Sequence, residues 1–295
     1  MSDAHAPGAD ASDADSSDAH AGEGERREAL AREADALLAV AVEAATNAGA
    51  LLLERVRRGA EREIASKSTP TDLVSEADLA SERAIRELLA HRRPDDGFLG
   101  EEGARTEGSS GLSWVVDPLD GTVNFLFGIP QWCVSVAVRD SHGTVAGAVY
   151  DPNRDELFSA TRHARPTLAG PAGTVELSGS SRGGTLETAM LATGFAYDAD
   201  VRAAQARVLS RVVPRVRDVR RFGSAALDLT WTAAGRYDAY FERTVKPWDI
   251  AAGALICERA GLVVLELPVH EQLPWGILVA APALAQELLE LVGGA

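Results

Sequence analysis

The spacing of apolar side chains divides the chain into stretches of different rhythm. Between Arg27 and Val56, Leu30, Ala34, Leu37, Ala41, Ala44, Ala48, Leu51 and Leu52 recur at helical intervals and Gly59 follows, which predicts one long amphipathic helix. A second helix is predicted after "KSTPTDLV". There Ser75 and Asp78 form a Ser-x-x-Asp capping box ahead of Leu79, Ile85, Leu88 and Leu89, and Pro94 lies beyond the end. Short apolar runs then come in succession at 97–100, 113–117, 132–139, 143–150 and 156–160. Turn residues such as Ser141-His142-Gly143 and Asp151-Pro152-Asn153 separate them, as an antiparallel meander requires.

The stretch 164–184 is rich in Gly, Ser and Pro and reads as a loop-heavy boundary. Beyond it strands at 188–193, 217–221, 237–242, 262–267 and 276–280 alternate with helices at 199–213, 224–234, 249–260 and 282–292, the pattern of an α/β half. The expected organisation is a disordered acidic tail over 1–28, an N-terminal α+β half over 29–184 and a C-terminal α/β half over 185–295.

Charge narrows the choice of partner. The net charge is −15, and residues 1–28 carry eight acids against two arginines with almost nothing to bury, so disorder is expected there. An acidic chain without clustered Lys and Arg is poorly suited to nucleic acid or anionic lipid, which leaves a small molecule as the expected partner. No secretory h-region and no uninterrupted apolar run of about 18 residues is found, so neither export nor a membrane span is expected. The two cysteines, Cys133 and Cys257, lie in apolar stretches, which points to a reducing, cytoplasmic setting.

Candidate chemistry lies where strands run out. "WVVDPLDGTVNF" (114–125) begins as a buried strand and ends in Asp117 and Asp120; "GEEG" (100–103) places Glu101 and Glu102 at another strand end; Asp249 opens a helix after Pro247-Trp248. Each has an ordinary reading alone: Asp-Pro and Asp-Gly form turns, an acidic loop is solvated, and Asp caps helices. Together they change the balance, since acids gathered at strand ends repel one another unless a cation sits between them. Oxygen ligands without His or Cys select a hard cation, so Mg²⁺ is favoured over Zn²⁺. Gly121 and Thr122 add backbone N–H groups that can approach an anion, and a hydroxyl that can hold a water. Acids holding cations beside anion-binding amides describe a phosphate-ester site.

These segments resemble the inositol monophosphatase family of Mg²⁺-dependent, lithium-sensitive phosphatases. "GEEG", "WVVDPLDGTVNF" and "WDIAAGALICERAG" (248–261) match its three signatures in order, while "KSTPTDLVSEADLASE" (67–82) and "GSAALDLTWTAAGRYDAYFE" (223–242) resemble its mobile loop and its substrate-side segment. The resemblance implies a layered αβαβα sandwich of the sugar-phosphatase type. It also implies two or three Mg²⁺ ions: Glu101, Asp117 and the Leu119 carbonyl would hold the first, Asp117, Asp120 and Asp249 the second, and Glu101 with waters a weaker third. Thr122 with Asp72 would activate the attacking water. The amides of Gly121 and Thr122 would bind phosphate, with Glu242 and the backbone around Ala225 meeting hydroxyls of the substrate ring. The implied reaction is hydrolysis of a phosphorylated polyol or sugar by direct attack of water, in a cytoplasmic homodimer. Relatives with the same metal core act on inositol monophosphate, histidinol phosphate, fructose bisphosphate or 3'-phosphoadenosine 5'-phosphate, and some bacterial relatives act as regulatory binding partners.

Overall fold

The computed structural model describes residues 13–58, 64–66, 73–103, 105–180 and 184–293. Helix α1 (Asp13–Arg58) lays its predicted stripe onto a sheet, with Ala34, Leu37, Ala41, Ala44, Ala48 and Leu52 all buried. It extends into the segment expected to be disordered, starting at Asp13 rather than Arg27. Residues 24–30 are exposed. By length and composition the part from Gly24 to Arg58 suffices to cross a membrane. The apolar stripe of that part is buried against protein instead, as in a core helix.

Strands β1 (Ile64–Ser66) and β2 (Leu73–Ser75) form a small antiparallel ribbon that leads into helix α2 (Glu76–Arg92). Then come β3 (Gly97–Gly100), β4 (Ser113–Asp120), the short helix α3 (Thr122–Phe127), and β5 (Cys133–Asp140), β6 (Gly143–Asp151), β7 (Glu156–Thr161), β8 (Thr167–Gly170) and β9 (Gly173–Glu176). The seven strands β3 to β9 lie in sequence order in one sheet, with β3 parallel to β4 and every later pair antiparallel. The stretch read as a loop-heavy boundary thus supplies the last hairpin. Its strands are half-buried or exposed, which removes the alternation that would mark them in sequence.

The second half runs β10 (Met190–Thr193), α4 (Ala199–Val212), β11 (Asp218–Arg220), α5 (Ala225–Ala233), β12 (Ala239–Arg243), α6 (Pro247–Arg259), β13 (Val263–Leu267), β14 (Gly276–Ala280) and α7 (Pro282–Val292). Its five strands are ordered β11-β10-β12-β14-β13. Five layers result: α1 and α2, the seven-stranded sheet, α5 and α6, the five-stranded sheet, then α4 and α7. The αβαβα expectation therefore holds. Trp231 of α5 helps join the halves, because the guanidinium groups of Arg154 and Arg236 each lie 4.8 Å from its ring centroid and Arg236 also pairs with Glu156 of β7.

Arg243, the last residue of β12, is buried to 3% exposure and faces backbone carbonyls. Its Nη1 donates to the carbonyls of Pro268 (2.7 Å) and Pro274 (2.8 Å), and Nη2 to that of Gly293 (2.9 Å). One guanidinium thus pins the β13–β14 connection and the end of α7 to the strand that carries Glu242. Arg243→Met should destabilise the protein by about 3 kcal/mol, since it leaves several buried acceptors unpaired. Arg215→Ala, which removes only an exposed pair with Glu287, should cost within about 0.5 kcal/mol. Urea unfolding of both variants checks this, and equal losses would contradict the role given to Arg243.

Candidate metal centre and cleft

Burial continues through the end of β4: Val115, Val116, Asp117, Leu119 and Asp120 are all inside, with Asp117 only 2% exposed. The ladder to β5 is interrupted between Asp117 and Asp120. Pro118 sits in that break and has no N–H to give to a ladder. Asp117 Oδ1 accepts from the Leu119 amide at 3.1 Å, which fixes the turn.

Asp120 is held from the other half of the molecule. Its Oδ2 accepts from Ser224 Oγ (2.6 Å) and the Ala226 amide (2.7 Å), and its Oδ1 from the Ala225 amide (3.2 Å) at the start of α5. The Ala225 N–H is therefore already engaged by Asp120, where a substrate hydroxyl was expected to meet this backbone. Asp249 is the third residue of α6 rather than its N-cap, and its Oδ2 reaches back to the Lys246 amide at 2.7 Å. Glu101 follows β3, its amide donating to the Val116 carbonyl at 3.2 Å.

One cleft of about 490 Å³ is lined by Glu101, Asp117, Leu119, Asp120, Gly121, Thr122, Ala225, Glu242 and Asp249. Every expected site residue is brought together there except Asp72, which lies outside the described residues. Burial raises the pKa of Asp117 well above the usual carboxylate range, and the charge of Glu101 adds to it. Burial likewise raises Asp249, helped by Asp120, and pushes Asp120 up to about 6 against the hydrogen bonds that favour its ionised form. Glu242 rises to about 7, mainly through burial, while the Tyr240 hydroxyl donates to its Oε2 at 2.9 Å.

Among the described residues no lysine or arginine forms an ion pair with Asp117, Asp120 or Asp249. With Glu101 these acids offer only oxygen donors, and such a set fits Mg²⁺ better than a softer ion. No three of the acids converge to enclose an ion by themselves among the described residues.

Helix α2 contributes what the sequence reading missed. Its buried face carries Asp78, Ser81 and Glu82, while Leu79, expected on the apolar face, is 40% exposed. Thr122 Oγ1 donates to Asp78 Oδ1 at 2.7 Å, Ser81 Oγ to the Pro118 carbonyl at 2.7 Å, and the Glu102 amide to Glu82 Oε2 at 2.8 Å. Residues at i, i+3 and i+4 share a helix face, so one helix holds both acidic turns. Gly100 and Gly103 make room for it, since a Cβ at either position would fall 2.3 Å from a Glu82 carboxylate oxygen. Thr122 thus has a partner in Asp78 that the sequence reading did not name, while Asp72, expected to act with it, lies outside the described residues. The Ser75-x-x-Asp78 spacing has a sufficient local explanation as a cap, which hides this role. Asp228 on α5 was also missed; it is buried beside Tyr237, and burial with the nearby Glu242 raises its pKa well above the usual carboxylate range.

Layered sheets with an acid cluster at the strand ends between two halves define a metal-dependent phosphatase. The model of the inositol monophosphatase family matches residues 33–293, and the chain belongs to that family. It is 44% identical over 234 residues to the inositol-1-monophosphatase SuhB of Mycobacterium tuberculosis, covering 77% of this chain and 80% of that one. It is 40% identical over 260 residues to the Nus factor SuhB of Pasteurella multocida, with 87% and 95% covered. The crystal structure of the extragenic suppressor protein SuhB from Bartonella henselae superposes with a TM-score of 0.79 at 34% identity, covering 87% of this chain and 98% of that one.

Raised carboxylate pKa values have a thermodynamic consequence. The folded chain binds protons that the unfolded chain has already released, so without metal its stability falls as pH rises from about 4 through the folded value near 6 for Asp120. Mg²⁺ should raise the melting temperature more at pH 7.5 than at pH 5, because the ion replaces protons on the cluster. Thermal melts with EDTA and with excess Mg²⁺ at both pH values check this. A shift of equal size at both would contradict it.

Proposed function

We propose that the protein is a Mg²⁺-dependent phosphomonoesterase that hydrolyses myo-inositol monophosphate to inositol and phosphate. The carrying observation is one open cleft where Asp117, Asp120 and Asp249, none of them paired to a lysine or arginine among the described residues, meet Thr122 with its hydrogen bond to Asp78. Glu101, Asp117, the Leu119 carbonyl, Asp120 and Asp249 would hold two ions, and Glu101 a weaker third. When bound, the metal neutralises the acids, offsets charge on the phosphate and leaving oxygen, and makes water a nucleophile at neutral pH.

The chain's own residues do the positioning. Thr122 Oγ1 gives its proton to Asp78, which leaves its lone pairs to accept from a water and aim that water's oxygen at phosphorus. Asp78, 0% exposed, is the final acceptor in that chain, the role expected of Asp72. The amides of Gly121 and Thr122 bind the phosphate. Water attacks directly, the P–O bond to the alcohol breaks, and no phosphoenzyme forms because the carboxylates are engaged as ligands. Glu242, with its pKa near 7, both accepts from and donates to hydroxyls of the leaving polyol. Exposed Phe127, Ile129 and Phe222 support a homodimer, and two buried free cysteines support a cytoplasmic setting.

A second reading, that of a regulatory binding partner, draws support from the relative named as a Nus factor. The complete acid set favours catalysis, and phosphate release from inositol 1-phosphate, abolished by EDTA, separates the two.

Asp78 and Asp120 should fail differently. Asp78→Asn is expected to lower kcat by about 10² to 10⁴ with the Mg²⁺ requirement nearly intact, as befits a group that positions water. Asp120→Asn should weaken metal binding, so raising Mg²⁺ recovers part of its lost rate. Phosphate release against Mg²⁺ concentration at saturating inositol 1-phosphate checks both. Recovery of Asp78→Asn by added Mg²⁺ would make Asp78 a ligand instead.

A further inference from the structure

Helix α6 packs against β4 to β7 of one sheet and β13 of the other. Pro247, Ile250, Ala254 and Glu258 recur along it at helical intervals and share one face, while Trp248 and Asp249 line the metal cleft. Between that face, the β5–β6 turn, the end of β7 and the β13–β14 pair lies a second cavity. Its volume of about 810 Å³ is within the roughly 300–1,000 Å³ of small-molecule sites, which favour such boundaries. Of its lining only Val245 belongs to the metal cleft as well. The floor is apolar: Ile250 and Ala254 of α6 meet Val264 of β13 and Ile277 of β14, with Trp275 beside them. Ile250, Ala254, Val264 and Trp275 are only half-buried, so this face is left partly uncovered.

The rim on the side of the seven-stranded sheet is basic. Arg162, directly after β7, donates from Nε to the Thr144 carbonyl (3.1 Å), from Nη1 and Nη2 to Asp140 (2.8 and 2.7 Å), and from Nη2 to the Gly143 carbonyl (2.9 Å). Its charge is thus matched by Asp140, and its bonds hold the β5–β6 turn in place. Arg139, on β5 beside that turn, is exposed and has no hydrogen bond or ion pair among the described residues. The acids of the lining have other company: Glu266 accepts from Trp275 Nε1 at 3.3 Å, and Glu258 feels the charge of the adjoining Arg259. Arg139 is the charge left without a counterpart. We propose that this cavity binds an aromatic anion, a small molecule whose planar body lies on the α6–β13–β14 floor beside Trp275 and whose carboxylate, sulfonate or phosphate meets Arg139. A guanidinium presents a planar fork of donors that matches such a group, and the indole offers an aromatic face to the ring.

The test uses 8-anilinonaphthalene-1-sulfonate, whose fluorescence rises on leaving water, and N-phenyl-1-naphthylamine, the same body without the sulfonate. Each is titrated into the full chain with and without Mg²⁺ and inorganic phosphate, which compete for the metal cleft. The sulfonate should saturate at one per chain with an affinity that Mg²⁺ and phosphate leave unaltered. Arg139→Gln should weaken the sulfonate about tenfold, the loss of one charge-assisted hydrogen bond, and change the amine by less than about twofold. Ala254→Trp, which fills the floor, should remove both probes. Because Arg139 is exposed, its replacement keeps the test decisive even if Ala254→Trp fails to melt cooperatively. Four results would overturn the site: no saturable binding, displacement by Mg²⁺ and phosphate, survival of both probes in a folded Ala254→Trp, or an equal effect of Arg139→Gln on the two probes.

Discussion

Mutual repulsion among buried carboxylates sets the terms for the rest of this molecule. Asp117, Asp120 and Asp249 line one cleft with Glu101, the three aspartates have no lysine or arginine paired to them among the described residues, and removing ions from water costs several kcal/mol each unless something compensates. The chain itself compensates only in part. Asp120 receives a hydroxyl and two amides, Asp117 one amide and Asp249 one amide. In the function proposed above, a divalent ion would supply the remaining deficit.

The architecture explains how such a cluster is kept in place. β4, next to the edge strand β3 of the seven-stranded sheet, carries Asp117 and Asp120, and α5 and α6 approach from the other half with the donors for Asp120 and with Asp249. Helix α2 closes the outer side, its polar face holding Thr122, the Pro118 carbonyl and the turn after β3. The centre is thus shared between halves. Contacts remote from it, such as Arg243 against carbonyls of the β13–β14 connection and the end of α7, bear on the site by fixing the strand that carries Glu242.

Much of this was legible in the sequence, for physical reasons that also mark the limits. The run Trp114-Val115-Val116 followed by Asp117 is costly without a cation, so this buried strand and its acids stood out. The second half was readable because its elements carry their own stop and start signals, such as Pro282 at the head of α7. Asp78 was not readable, since an acid three residues after Ser75 already has a local explanation and the burial of a polar helix face leaves no periodic trace. Leu79 misled for the same reason. The β8–β9 hairpin stayed hidden because its strands bury too little to impose alternation. The engagement of the Ala225 amide by Asp120 depends on two segments more than a hundred residues apart, which no local pattern reports.

Direct metal binding tests the central claim most closely. Titration of the full chain with Mn²⁺, read by the loss of the free-ion electron paramagnetic resonance signal and displaced by Mg²⁺, should give at least two saturable ions per chain. The count should fall in Asp117→Asn, whose carboxylate is assigned to both ions. An absence of saturable binding in the wild type, or an unaltered count in Asp117→Asn, would contradict the account.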